Sequence, residues 1–225
     1  MPDRDRARLQ GGRRGGALRE AFRVQPRLPI VLVAIALAHV GVTAGWTFLP
    51  LRILELGGGP PQIAASAAVA GATEVAAMIL ASRLARRVGL RTLFAAATLL
   101  QACACVLWMV LASPEAIIAS RVISGAAHSG LWIASVHTMR TLLPPSLQGT
   151  GQGLFGVTAS GAAAITANVI GGMVYGSLGP AALFGVVAAV GAVGAGVGWL
   201  ALPRRGERAP VETPTARGAD HEPAR

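Results

Sequence analysis

Residues 29–50 read PIVLVAIALAHVGVTAGWTFLP, without a charged side chain among them. A helix rises 1.5 Å per residue, so about 20 apolar residues cover the roughly 30 Å hydrocarbon core of a bilayer. In that medium every backbone N–H and C=O must find its partner inside its own segment, which makes a helix the form such a run takes. The run is too long for the core of a signal peptide, and no small-residue cleavage site followed by a polar domain comes after it. It is expected to stay attached as a membrane helix.

Outward from this stretch, five more runs meet the same requirement: 62–82, 92–112, 116–139, 153–176 and 180–202. Short connections rich in Gly, Pro, Ser and Arg separate them. The whole chain agrees, since 53% of its 225 residues are hydrophobic, 13% are charged and the mean hydropathy is +0.56, far from a soluble domain. Aromatic residues make up only 4% while glycines number 29, a balance that suits helices packed through small side chains rather than a β-rich core. The expected fold class is an all-α integral membrane protein with six transmembrane helices.

The formal charge of +10 sits outside the apolar runs. Residues 1–28 hold eight Arg against Asp3, Asp5 and Glu20. Arg83, Arg86, Arg87 and Arg91 follow the second run and Arg140 follows the fourth, whereas the opposite connections carry only Arg52, Glu55 and Glu115. By the positive-inside rule both termini face the cytoplasm, in the cell (inner) membrane, and the arginines meet anionic lipid rather than nucleic acid. The expected organisation is a basic disordered tail over 1–28, a transmembrane domain over 29–202 and a disordered tail over 203–225, whose composition cannot offset ordering entropy. The absence of Lys reads as coding bias and implies no function.

Chemistry by metal, phosphate or covalent catalysis finds no support. Cys103 and Cys105 lie two apart inside an apolar run, on different sides of a helix and without ligand companions, and read as small hydrophobes. Gly151–Gly156 matches G-x-G-x-x-G literally, but no strand precedes it and no acid follows at the required distance. Ser124 and Ser160 lack the turn and the later histidine of an intramembrane serine protease. The chain is therefore expected not to be an enzyme, to bind no cofactor or metal, and to draw energy from an ion gradient.

The informative residues are the polar ones inside the runs. Glu74 lies near the middle of the second, where an ionised side chain costs at least about 2.5 kcal/mol. It is either a protonatable coupling group or the partner in a helix-to-helix hydrogen bond that fixes packing. Arg121, Gly125, His128 and Trp132 recur at spacings of four, three and four and so share one helix face. At 1.5 Å per residue His128 sits roughly 18 Å from its end of the span, at the depth of Glu74, where the two can meet. Such a pair suits proton transfer, because imidazole titrates near neutral pH, and Arg121 can hold an anionic group. The structural alternatives are an interhelical hydrogen bond for His128, a snorkelling anchor for Arg121 and plain packing for Trp132. Asn168 and Gln152 can add hydrogen bonds on or near the Gly-rich fifth helix, where close packing is the simpler role. His137 with Arg140 reads as interfacial, and His39 is assigned to neither role.

The connection Ser82-Arg-Leu-Ala-Arg-Arg-Val-Gly-Leu-Arg91 resembles the cytoplasmic loop signature G-x-L-a-D-r-x-G-r-r of the major facilitator superfamily. Leu84, Ala85, Arg87, Gly89 and Arg91 fit; Ser82, Arg86 and Leu90 replace a Gly, an acid and a basic residue. Phe48-Leu-Pro-Leu, Glu74 and Pro144-Pro-Ser-Leu-Gln-Gly-Thr-Gly-Gln-Gly153 are similar in order and spacing to the carboxyl-terminal half of the lactose-permease-like branch. The resemblance covers about residues 29–202. It implies a six-helix bundle of two inverted three-helix repeats, half of a major facilitator fold, whose substrate cavity faces a second bundle. The expected function is secondary, proton-coupled transport of a small organic solute, as a symporter or efflux carrier, with a second copy or a separately encoded six-helix chain as partner. The competing expectation is a non-transporting truncated product or an accessory subunit of a full carrier.

Overall fold

The computed structural model describes residues 16–205 and 207, all of them in helices or short connections, with no strand among them. Residues 16–24 form helix α1. It is followed by α2 (Leu28–Glu55), α3 (Pro60–Val88), α4 (Leu90–Val110) and α5 (Pro114–Leu142). After a 3₁₀ turn at Pro145–Leu147 come α6 (Gln148–Gly156), a π-helical stretch (Val157–Ala162) and α7 (Ala163–Ala201).

Local chemistry sets most of these boundaries. α3 and α5 each begin with a proline in the first turn, where a missing N–H costs nothing. Ser113 caps α5 by accepting a hydrogen bond from Ala116 N–H at 3.2 Å, and Gln62 Oε1 accepts one from Gly59 N–H at 3.0 Å. α7 is interrupted at Gly179, whose φ of 82° and ψ of 175° are non-helical, directly before Pro180.

Four segments are long and apolar enough to cross a membrane: Leu28–Glu55, Pro60–Val88, Leu90–Val110 and Pro145–Ala201, the last 57 residues long with the Gly179 break inside it. α5 has the length, but Glu115, Arg121, His128, His137 and Arg140 interrupt its apolar surface.

Three expectations are corrected. The stretch Ser82–Arg91 is not a loop: α3 continues through Leu84 and Arg87 to Val88, and Gly89 alone makes the turn into α4, at φ 87° and ψ 159°. A single residue suffices because glycine has no Cβ to obstruct that backbone. The first apolar run does not stop at Pro50, which lies inside α2. The tail over 1–28 is not disordered throughout: residues 16–24 are helical, with Ala21 fully buried against a cluster that includes Leu28, Leu143 and Leu202. Residues 1–15 and 208–225, where tail disorder was also expected, lie outside the described residues.

α2 packs along α7, α3 along α5, and α4 along both α5 and α7. The core divides into two apolar clusters. One joins Leu28, Ile35, Phe94, Leu131, Met139 and Phe155, and the other joins Phe48, Ile53, Trp108, Ile117, Leu183 and Phe184. Buried polar groups occur along the same helices, among them His39, Gln101 and Arg121.

Candidate functional site

Glu74 and His128 occupy the middle of α3 and α5, and the packing of these two helices turns the side chains towards each other. His128 Nδ1 lies 3.0 Å from Glu74 Oε1, with each side chain 23% exposed. The two atoms are within ion-pair distance, but Nδ1 is not aligned for a hydrogen bond. Next to it Ser129 donates a hydrogen bond to the backbone carbonyl of Glu74 at 2.8 Å, a second tie between the helices. The close approach depends on Gly125, where an added Cβ would stand 2.6 Å from the Ala70 carbonyl oxygen.

Rings continue from this pair across the bundle. Trp132 meets His128 edge-on at 6.1 Å between centroids, Phe155 meets Trp132 at 5.0 Å, and His39 meets Phe155 at 5.8 Å. The ladder connects α5, α6 and α2, and the π-helical stretch begins two residues after Phe155. Such turns are frequent at functional positions, because the extra residue reorients the side chains around it. His39 is 3% exposed. Its Nδ1 is bonded to the Ile35 carbonyl at 2.9 Å, and its Nε2 has no partner.

Arg121, two turns along α5 from His128, faces α3 as well. Its Nε donates to the Ser66 carbonyl at 3.4 Å and its Nη1 to Ser124 Oγ at 2.9 Å. The Trp46 and Trp108 rings lie 5.4 and 5.7 Å from the guanidinium carbon.

The structure therefore brings together Glu74, His128 and Trp132, with Arg121 on the same face. Asn168 is elsewhere: its Oδ1 accepts a 2.8 Å hydrogen bond from Thr47 at the exposed seam between α2 and α7. Gln152 donates to the Val136 carbonyl at 3.2 Å, tying α6 to α5. At the end near both termini, Arg205 donates to the Arg87 carbonyl at 2.8 Å, Arg91 lies over the Trp199 ring at 4.4 Å, and Arg27 pairs with Glu207 at 3.0 Å. Sequence reading did not find Phe155, although it belongs to the Gly151–Gly156 stretch set aside as a chance nucleotide motif. Its only signal there was a bulky ring in a glycine-rich stretch.

No curated protein matches this chain. The family model of the Major Facilitator Superfamily matches residues 31–223, which include α3 through α7, all but the first three residues of α2, and every residue of the ladder. With its apolar helices and that match, the chain belongs to the major facilitator superfamily, a family of membrane transporters.

Proposed function

We propose that the chain acts as one six-span bundle of a secondary carrier, which moves a small organic solute by alternating access and couples that movement to protons through Glu74 and His128. The six spans are α2, α3, α4, α5, the stretch from α6 to Gly179, and the remainder of α7, arranged as two inverted repeats of three. Both termini are then cytoplasmic, in line with the placement of arginines. The solute cavity forms against a second bundle, supplied by another copy or another chain, across the face that carries Trp132.

The observation that supports this reading is the 3.0 Å approach of an acid and an imidazole midway along α3 and α5. A proton arriving there changes the charge of the pair, and that change alters what the facing cavity attracts and how tightly α3 holds α5.

The test is reconstitution into proteoliposomes containing a pH-sensitive dye, with a panel of small organic solutes added outside. A solute-dependent change of internal pH, lost in Glu74→Gln, is expected. Silence from every solute in vesicles that hold folded, assembled protein would sink the proposal.

A further inference from the structure

We propose that Arg121 is the receptor for a carboxylate group, so that the solute is a small organic acid. This rests on the carrier reading above and adds a substrate class to it.

Arg121 is only 5% exposed, and an ion withdrawn from water costs several kcal/mol unless another charge compensates it. Both of its hydrogen bonds go to neutral oxygens, the Ser66 carbonyl and the Ser124 hydroxyl. Among the described residues no carboxylate lies within ion-pair distance of it, and Glu74, the acid of the same helix pair, stands against His128. No anion touches the guanidinium, and Glu74 acts on it only through space.

Arg121 lines a half-open cleft of about 40 Å³ with Gly45, Trp46, Leu49, Ile63 and Ser66. The cleft leaves room for a carboxylate against the guanidinium, with the rest of the solute extending through its open side.

A guanidinium offers two parallel N–H groups that match the two oxygens of a carboxylate. The Trp46 and Trp108 rings beside it restrict its plane, and the apolar walls suit the short hydrocarbon part of an organic acid. Arg121 precedes His128 by two helical turns, about 10 Å along α5. An anion held there feels the charge of the Glu74–His128 pair, so that carboxylate and proton binding reinforce each other.

The experiment titrates the purified full chain in detergent with sodium propionate, reading tryptophan fluorescence and Tm. Propionamide, sodium chloride at equal ionic strength and sodium phosphate serve as comparisons. A saturable fluorescence change and a rise in Tm are expected with propionate alone. Arg121→Gln is expected to weaken the response about tenfold to a hundredfold, the worth of a charge-assisted hydrogen bond. Should that variant fail to fold, Ala67→Leu, which enlarges an exposed side chain lining the cleft, is expected to abolish the response. The proposal is overturned if wild-type protein responds to propionate no more than to chloride or phosphate, or if either folded variant binds propionate with unchanged affinity. The titration needs neither a proton gradient nor a second bundle, so its failure leaves the carrier reading intact, and silent proteoliposomes leave the titration intact.

Discussion

His128 Nδ1 stands 3.0 Å from Glu74 Oε1, and this approach couples the midpoint of α5 to the midpoint of α3. The pair is neither sealed in the core nor fully open, each side chain being 23% exposed. It lies on the seam that Ser129 and Gly125 hold close. A mid-membrane acid without such a partner costs at least about 2.5 kcal/mol, so the contact has an energetic consequence whatever the transport cycle does with it.

Removing either partner should expose that consequence. Glu74→Gln and His128→Gln are each expected to destabilise the folded protein by roughly 1–3 kcal/mol, between the values for exposed and buried pairs. The double variant should cost less than the sum of the two. A thermal or denaturant double-mutant cycle in detergent reads this, and a coupling energy near zero would mean that the two side chains do not interact.

Gly125 tests whether α3 and α5 are held at close range. Gly125→Ala places a methyl 2.6 Å from the Ala70 carbonyl oxygen, and the helices must separate to admit it. A loss of about 1–3 kcal/mol is expected. Gly71→Ala, on the same stretch of α3 with nothing within 4 Å of the new methyl, should be neutral or stabilise by about 0.5 kcal/mol. Equal effects in the two variants would refute the close seam.

Two turns depend on a backbone that only glycine adopts readily. Gly89 (φ 87°, ψ 159°) and Gly179 (φ 82°, ψ 175°) are the junction of α3 with α4 and the break in α7. Alanine at either position is expected to cost about 1–3 kcal/mol in backbone strain. The Tm of each purified variant checks this, and an unchanged value at position 179 would mean that α7 can run through Pro180 without its break.

The ring ladder separates packing from recognition. Phe155 is 3% exposed, so Phe155→Ala should cost about 3–5 kcal/mol. Asn168→Ala removes only the exposed bond to Thr47 and should cost under about 1 kcal/mol. Denaturant melts of the two variants distinguish these ranges. A large loss at Asn168 would place the α2–α7 seam among the essential contacts.

Much of this protein follows from sequence because the bilayer makes strong local demands. Charge-free stretches such as 29–50 must be helical wherever they end up, and the 3.6-residue period alone assigns Arg121, His128 and Trp132 to one side of α5. Similar depth in the bilayer made an encounter between Glu74 and His128 foreseeable. What the pattern does not contain is rotation of each helix about its axis and its register against a neighbour, which depend on side chains distant in the chain. Packing across such distances directs Asn168 to Thr47 rather than to Glu74, brings Phe155 between Trp132 and His39, and leaves Arg121 with neutral partners beside a small cleft. It also extends α3 to Val88, because Gly89 can make the turn alone, and orders residues 16–24 by burying Ala21. The sequence by itself determined which segments are apolar helices and which polar groups lie inside them, through solvation and helical period. Only the tertiary structure decided which of those groups touch, because close packing between helices is a property of pairs of surfaces and not of either sequence segment alone.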